Sequence, residues 1–455
     1  MLIRLTAALA LQVEFMKLQV PRKLNKIVVV ELALLALLIV YDLEIISMYG
    51  STWDNSASYF NTLTMLGRSS YYEMLREPLV QFFMLPFAFL TQNFYVTVEA
   101  VSVLLTVLFF FAVKKLAHAL KVKGASLYLV AVTGIVIGFM TLLNLADILG
   151  ATLVILALAY YYEGKNIESS IMFGLSFLAK FTNLIFIFYL PFIFRKKELA
   201  RSLAIVFLVN LPWFAVNYAL FGNPFYGYMQ ANQIFSSLHT VNLTQLGAAL
   251  LSLFVLNYQF IIVFCVIAVA LHSISQVLKK YAARLDVRDY SLMAVAFVEF
   301  LYVGSAQNFV AWLGYPVFIA FLVPTAKLLS AYQNDRKTAG YVNAAAAFAA
   351  FSLVIASMMF AGLPYGPGMV KPAGFSKMPA YPQSILAAHT LNCTNIYSNA
   401  WPYLMIYNQS VKSVFGGQIP DGACVIMFNE SIGTVFNTGN MSLLHANGNF
   451  SIFMK

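Results

Sequence analysis

The sequence predicts an all-α polytopic membrane protein of about 11–13 transmembrane helices, followed by a small external α/β domain at the C-terminus. Of its 455 residues, 61% are hydrophobic and only 10% are charged. Apolar runs recur along residues 27–363, and many have the length that crosses a bilayer. The alternating pattern of a membrane barrel is absent from the sequence, and after residue 363 the composition shifts toward Asn, Ser, Gly and Pro.

Basic residues gather in clusters that each follow one apolar run and precede the next. Because Lys and Arg favour the cytoplasmic side of membrane spans, these clusters orient the chain with its N-terminus inside. They also account for the net charge of +10, so no nucleic-acid partner is predicted. The clusters lie at residues 114–123, 195–201, 279–288 and 327–337.

Residues 1–26 are expected to form a cytoplasmic N-terminal segment. Glu14 interrupts its apolar stretch and no small-residue cleavage site follows, so the segment makes a poor signal peptide. A surface-lying amphipathic helix and an extension upstream of a start at Met16 both remain open. We expect a multi-pass protein of the plasma membrane.

Alternate crossings leave the acid-rich loop 42–95 on the external side. Residues 170–194 are too few for two full crossings, yet a single crossing would place the basic cluster 195–201 outside. We therefore predict two short helices, broken near Lys180 and meeting at the external side. The other spans are predicted at residues 27–46, 96–113, 125–143, 148–162, 202–218, 248–272, 290–303, 310–329 and 341–362.

Residues 364–455 are expected to form an external soluble domain, with strands at 395–398, 423–428 and 450–454 and a helix at 400–407. Cys393 and Cys424 both fall there, where a disulfide can persist; the sequence leaves their pairing open. Asn-x-Ser/Thr acceptors for glycans all fall on the side assigned as external, and composition alone is the competing explanation for their number. They are Asn242, Asn392, Asn408, Asn429, Asn440 and Asn449.

The first external loop carries the leading candidates for chemistry. No zinc-protease, CxxC, phosphate-loop or GxSxG motif occurs in the sequence. Asp54, just past the first span, can take a proton from an acceptor or hold a divalent ion; a solvated loop carboxylate is the alternative. Arg76 can hold a phosphate, and Glu77 can fix that Arg or join Asp54 as a metal ligand. The alternative for Arg76 and Glu77 is a salt bridge beside a helix that Pro78 opens.

Asp147 and Lys180 are ionisable residues placed where a bilayer makes charge costly, so function is the first reading for both. Asp147 lies in the turn between the third and fourth spans, and Lys180 lies in the predicted helix break. Snorkelling of the Lys180 side chain to the interface is the alternative. Together with Asp54, Arg76 and Glu77, these residues are predicted to meet at one external cavity.

With these residues in place, the chain resembles the GT-C superfamily of integral-membrane glycosyltransferases, in particular the aminoarabinose-transferase-like and protein O-mannosyltransferase-like branch in its archaeal form. The resemblance covers about residues 27–330 and rests on the sequences around Asp54, Arg76-Glu77-Pro78-Leu79 and Asp147. It also rests on the strings 174–182, Pro212-Trp213 and 222–224, and on Asn217. Where many relatives have paired acids, this chain has Asp54-Asn55.

The resemblance implies a catalytic domain at residues 27–363. It would transfer a hexosyl or pentosyl group from a polyprenyl- or dolichyl-phosphate carrier to a lipid, glycan or protein acceptor at the external face. Asp54 would be the catalytic base of an inverting reaction and Asp147 a second active-site acid. Arg76, Glu77 and Lys180 would contact the donor phosphate, with a divalent metal at Asp54 and Glu77 left open. A secondary transporter or lipid flippase and a non-catalytic scaffold are the competing readings.

Overall fold

The computed structural model describes residues 50–69, 76, 78–122, 144–229, 286–304, 376–414, 419–428 and 438–455, with single positions between 29–47 and 319–327. In this described part the chain is mostly helical, and strands occur only near the C-terminus, which confirms the predicted fold class. The predicted spans 125–143, 248–272 and 341–362 lie outside the described residues.

Helical segments whose bounds are described precede the C-terminal domain. They are α1 (Trp53–Met65), α2 (Pro78–Thr91), α3 (Phe94–Ala119), α4 (Leu145–Tyr162), α5 (Asn166–Ala179), α6 (Leu190–Ile193), α7 (Lys196–Phe221) and α8 (Val287–Gly304), with a 3-10 helix at Phe181–Phe188 between α5 and α6. Among the described residues, α3, α4 and α7 are long and apolar enough to cross a membrane.

The segment predicted as the loop 42–95 is largely helical, since it contains both α1 and α2. Although α1 is rich in Ser, Thr and Asn, most of its side chains are buried. Two of these hydroxyls bond to carbonyls of the preceding turn: Ser56 Oγ donates to Thr52 O at 2.9 Å, and Thr62 Oγ1 to Ser58 O at 2.8 Å. Local bonds of this kind let a polar sequence form a buried helix, so polarity alone was a poor sign of a loop.

The predicted break near Lys180 is confirmed. Helix α5 ends at Ala179, Lys180 is extended with φ −154° and ψ 119°, and the 3-10 helix begins at Phe181. The chain then returns to where α5 began, because Asn166 Nδ2 donates to Glu198 Oε1 at 3.2 Å. Helix α7 next runs alongside α5, and Gly174 lets the two approach closely: a Cβ there would lie 2.9 Å from Val209 Cβ.

The helices have two chemically different ends. The ends of α3 and α4 meet where Lys115 Nζ lies 2.8 Å from Glu163 Oε1, and Lys165 binds the other oxygen at 2.8 Å. Hydrogen bonds from Lys115 and Lys165 hold the pKa of Glu163 below its usual value. The start of α8 lies at the same end, since Arg288 Nη1 donates to the Tyr161 hydroxyl at 2.7 Å. This is the end that the basic clusters mark as cytoplasmic.

The C-terminal domain is a five-stranded mixed sheet with two short helices. Its elements are α9 (Ala380–Thr390), β1 (Ile396–Ser398), α10 (Trp401–Leu404), β2 (Lys412–Ser413), β3 (Cys424–Phe428), β4 (Ser442–Ala446) and β5 (Phe450–Met454). The strand order is β2-β1-β3-β5-β4; β1 is parallel to β2 and β3, whereas β5 is antiparallel to β3 and β4. The three predicted strands correspond to β1, β3 and β5.

A buried core connects this domain to the helical part. Phe60 of α1 and Trp401 of α10 belong to one cluster of buried hydrophobic side chains, and α10 packs against α1. The C-terminal domain therefore lies against the end of the bundle that carries Asp54, opposite the end that carries Glu163.

Candidate active site

Asp54 lies in the first turn of α1, where the positive end of the helix dipole favours a carboxylate. Arg76 Nη1 donates to Asp54 Oδ1, and Asn144 Nδ2 donates to Asp54 Oδ2 at 2.5 Å. The Asp54 side chain keeps 27% of its surface exposed and that of Arg76 keeps 17%. Each carboxylate oxygen can accept more than one hydrogen bond, so this fixed and partly open carboxylate retains capacity for a further proton donor.

Asn144 was missed by the sequence analysis. It is the N-cap of α4, and its Oδ1 accepts from the backbone N–H of Ala146 at 2.9 Å. Because Oδ1 is occupied in this way, its amide nitrogen points to Asp54. An Asn directly before an apolar helix is a recognisable N-cap signal, but nothing in the sequence shows that its other atom reaches residue 54.

Asn55 forms a second link between α1 and α4. The backbone N–H of Leu145 donates to Asn55 Oδ1 at 2.9 Å, which serves one of the unpaired donors at the start of α4. Asn55 Nδ2 donates to Ser51 Oγ at 2.9 Å. Asp54 and Asn55 therefore attach the start of α1 to the start of α4 through adjacent side chains.

Asp147 and Lys180 form an ion pair inside the protein. Lys180 Nζ lies 3.0 Å from Asp147 Oδ1; the Asp147 side chain is fully buried and that of Lys180 is 10% exposed. Asp147 lies in the first turn of α4, three residues after Asn144. The Asp54–Arg76 pair and the Asp147–Lys180 pair thus both lie at the N-terminus of α4, and four of the five predicted site residues lie at one end of the bundle.

Polar groups at the helix break are satisfied locally. The backbone N–H of Lys180 donates to Ser176 O at 2.9 Å, and Asn183 Nδ2 donates to the same carbonyl at 3.1 Å. This satisfies backbone groups that the end of α5 would otherwise leave unpaired. The break thus places Lys180 in extended backbone between two hydrogen-bonded helical segments.

Aromatic side chains pack together next to the helix break. Phe181 packs on Trp213 of α7, and the Phe181 ring centroid lies 4.4 Å from that of Tyr228. Asn217 fixes the chain beyond α7, because its Oδ1 accepts from the Gly227 N–H at 3.1 Å. Trp213 and Asn217, which were part of the family resemblance, thus belong to the structure that packs beside the helix break.

The described residues give no support for a metal at Asp54. Its described partners are a guanidinium and an amide, and no group of three acidic, His or Cys side chains in this part of the chain is placed to hold an ion. Glu77, the second predicted ligand and a predicted phosphate contact, lies outside the described residues.

The structure also describes both disulfide candidates and four of the six glycosylation candidates. Cys393 and Cys424 are joined by a disulfide with a Cα–Cα distance of 5.7 Å. Asn392, Asn440 and Asn449 are exposed, and Asn408 is partly exposed, with its Oδ1 accepting from the Ser410 hydroxyl at 2.7 Å. Asn242 and Asn429 lie outside the described residues, and glycosylation at all six positions stays a prediction.

Two solved structures have the same overall fold as this chain. They are ArnT from Cupriavidus metallidurans bound to undecaprenyl phosphate (TM-score 0.56, 93% of this chain covered) and the same protein in the apo state (TM-score 0.57, 94% covered). Each is 12% identical to this chain and is covered over 97% of its own length. No protein-family model matches the sequence, and no curated protein matches it.

At this identity the likeness concerns the fold. The GT-C superfamily that the sequence resembles, and the archaeal and O-mannosyltransferase-like assignments within it, stay predictions. The chain has the ArnT-like fold of a multi-pass membrane protein, with a small C-terminal sheet domain.

Proposed function

We propose that the protein is a glycosyltransferase that moves a sugar from a polyprenyl- or dolichyl-phosphate carrier to a lipid, glycan or protein acceptor at the external membrane face. The observation that carries this proposal is the Asp54 carboxylate, partly exposed and fixed through both oxygens by Arg76 and Asn144. The fold supports it, since the ArnT structure that shares this fold is bound to undecaprenyl phosphate.

Asp54 would act as the general base. As the acceptor oxygen attacks the anomeric carbon, its proton passes to Asp54, and the bond between that carbon and the phosphate oxygen breaks. The carrier phosphate leaves with the electron pair of that bond. Because a phosphate is a good leaving group without protonation, one base suffices and the anomeric configuration inverts.

Arg76 would contact the carrier phosphate on the leaving side. A guanidinium is planar, always charged and suited to carboxylate and phosphate oxygens, so Arg76 can hold Asp54 and stabilise the departing phosphate from one position. Lys180 and Asp147 would form the buried half of the site: Lys180 adds positive charge for the donor phosphate, and Asp147 holds the ammonium in place.

The test uses purified full-length protein in lipid nanodiscs. Binding of undecaprenyl phosphate is measured first, and then transfer of labelled sugar from a panel of polyprenyl-phosphate sugars to membrane lipid and glycan fractions. Asp54→Asn keeps the shape of the side chain and removes the base. We expect it to bind undecaprenyl phosphate as the parent does and to lose turnover by roughly 100- to 10,000-fold.

Three outcomes would contradict the proposal. One is a parent protein that binds no undecaprenyl phosphate and transfers no sugar from any donor of the panel. Another is an Asp54→Asn variant with parental turnover, which would remove the assignment of the base. The third is a product that retains the anomeric configuration, because a single direct displacement by the acceptor inverts it.

A further inference from the structure

The C-terminal domain is hydrogen-bonded to the segment that begins α1. The backbone N–H of Ser376 donates to Ser51 O at 2.9 Å, and the Ser51 N–H donates to Ser376 Oγ at 2.9 Å. The two residues are 325 positions apart and both are buried. Their contact is reciprocal, so it holds the backbone three residues before Asp54 against the other domain.

Neighbouring groups hold Ser376 from the side of its own domain. The Tyr407 hydroxyl donates to Ser376 O at 3.0 Å. Partial burial and the nearby Tyr95 hydroxyl raise the pKa of Tyr407, so this donor stays protonated through the physiological range. The Lys377 ammonium donates to Ser47 O and lies 4.8 Å from the centroid of the Tyr95 ring.

Gly50 makes the close approach possible. Its φ of +80° is strained for other residues, and a Cβ on it would overlap the Ser376 hydroxyl. Ser376 can therefore lie this close to the α1 segment only because residue 50 is a glycine in this conformation.

The contact continues from Ser51 to the active site. Ser51 Oγ accepts from Asn55 Nδ2 at 2.9 Å, and Asn55 Oδ1 accepts from the Leu145 N–H at 2.9 Å. Leu145 directly follows Asn144, whose amide donates to Asp54. An unbroken series of hydrogen bonds thus runs from the C-terminal domain to the two helix starts that hold the Asp54 carboxylate.

We propose that Ser376 of the C-terminal domain is a positioning residue for Asp54, acting through Ser51 and Asn55. The C-terminal domain would then be a working part of the active site, because it sets how the α1 start meets the α4 start. This inference rests on the proposed function for its effect on turnover, but its structural content can be measured without any substrate.

The experiment compares the full-length parent with Ser376→Ala and Ser51→Ala by hydrogen–deuterium exchange and by sugar transfer. Ser384→Ala is the control, because it removes a buried hydroxyl of the same domain whose hydrogen bond among the described residues stays within α9, to Tyr381 O. We expect Ser376→Ala to speed exchange of the Ser51 amide and, at a distance, of the Leu145 amide. Ser384→Ala should leave both amides at parental rates.

Turnover provides the second measurement. Ser376→Ala and Ser51→Ala should each lower kcat by roughly 10- to 100-fold, the scale of a small misplacement of a catalytic group, while the donor KM changes little. Ser51→Thr, which retains the hydroxyl, should restore kcat. If both residues act along one route, the double alanine variant should lose no more than the worse single variant.

Two results would overturn the proposal. One is a Ser376→Ala variant in which the Leu145 amide and kcat are both parental. The other is a double variant whose losses multiply as for independent sites. A parent that binds no undecaprenyl phosphate and transfers no sugar would instead refute the proposed function, and the exchange of the Leu145 amide would still decide whether Ser376 controls this junction.

Discussion

Asn144 bonds to the α4 backbone and to Asp54 through opposite atoms of one amide, with Oδ1 2.9 Å from Ala146 N and Nδ2 2.5 Å from Asp54 Oδ2. The start of a membrane helix and the orientation of the candidate base are therefore set by the same side chain. Capping and positioning can be separated by mutation because they use different atoms.

Asn144→Ser should separate the two roles. Serine caps helices about as well as asparagine, so the melting temperature should stay near that of the parent. Its short side chain does not reach Asp54, so turnover should fall by about 10-fold or more. Asn144→Ala is the matched comparison and should also cost about 1 kcal/mol of stability. Parental turnover in Asn144→Ser would show that Asp54 needs no donor at this position.

Replacing one member of the Asp147–Lys180 pair should destabilise the fold more than replacing both members together. Lys180→Met leaves a buried carboxylate without its charged partner and should cost about 3–5 kcal/mol. Thermal unfolding in nanodiscs measures this loss. Asp147→Asn combined with Lys180→Met removes both charges and should recover much of the stability.

Donor binding then distinguishes a structural from a functional pair. If Lys180 contacts the carrier phosphate, the double variant should bind undecaprenyl phosphate more weakly than the parent by about 1.5–3 kcal/mol. Parental binding and turnover in the stable double variant would assign the pair to folding alone.

The disulfide should stabilise the C-terminal domain. Cys393 and Cys424 are 31 residues apart, and closing a loop of this size contributes about 3–4 kcal/mol in the chain-entropy account. Cys393→Ser should lower the melting temperature, and a reducing agent should lower that of the parent but have no further effect on the variant. Cys265→Ser, which removes a cysteine from a predicted span, is the control. Equal melting temperatures with and without reductant would contradict the prediction.

The sidedness of the domain can be read from glycosylation in a host that modifies exported proteins. We expect glycans on the exposed Asn392, Asn440 or Asn449, detected as a mobility shift removed by glycosidase and by Asn→Gln variants. Glu168→Ser creates an acceptor at Asn166, at the opposite end of the bundle, which should stay unmodified. Modification of Asn166 with an unmodified C-terminal domain would invert the predicted topology.

The sequence predicted features that follow from long-range constraints on charge and length. The break at Lys180 came from the need to return the basic cluster 195–201 to the inner side, and the structure confirms it. Strands β1, β3 and β5 were predicted differently, from short local runs of β-forming residues. Residues 147 and 180 were chosen because charge next to a bilayer is costly, and residues 54 and 76 because a carboxylate and a guanidinium at the membrane surface can act as a base and hold a phosphate.

Other features depend on partners that are distant in sequence. Strand β4 is exposed throughout and β2 has only two residues, so neither carries a hydrophobic pattern. Helix α1 has the polar composition of a loop, and the hydrogen bonds from its hydroxyls to backbone carbonyls four residues earlier are visible only in the structure. Asn144 and Ser376 show no distinctive pattern in the sequence, because their hydrogen-bond partners, Asp54 and Ser51, are 90 and 325 residues away along the chain.

The 3-10 geometry at Phe181–Phe188 solves a problem of length. Helix α5 has 14 residues and rises about 21 Å at 1.5 Å per residue. The return path has eight residues in the 3-10 helix and four in α6, which together rise about 22 Å because 3-10 winding gains about 2.0 Å per residue. An α-helical return of the same twelve residues would rise only about 18 Å and fall short of α5 by about 3 Å, the rise of two residues. The larger rise per residue of the 3-10 helix therefore lets α5 extend far enough for Lys180 to pair with Asp147. The twelve residues that follow still span the distance back to the start of α7.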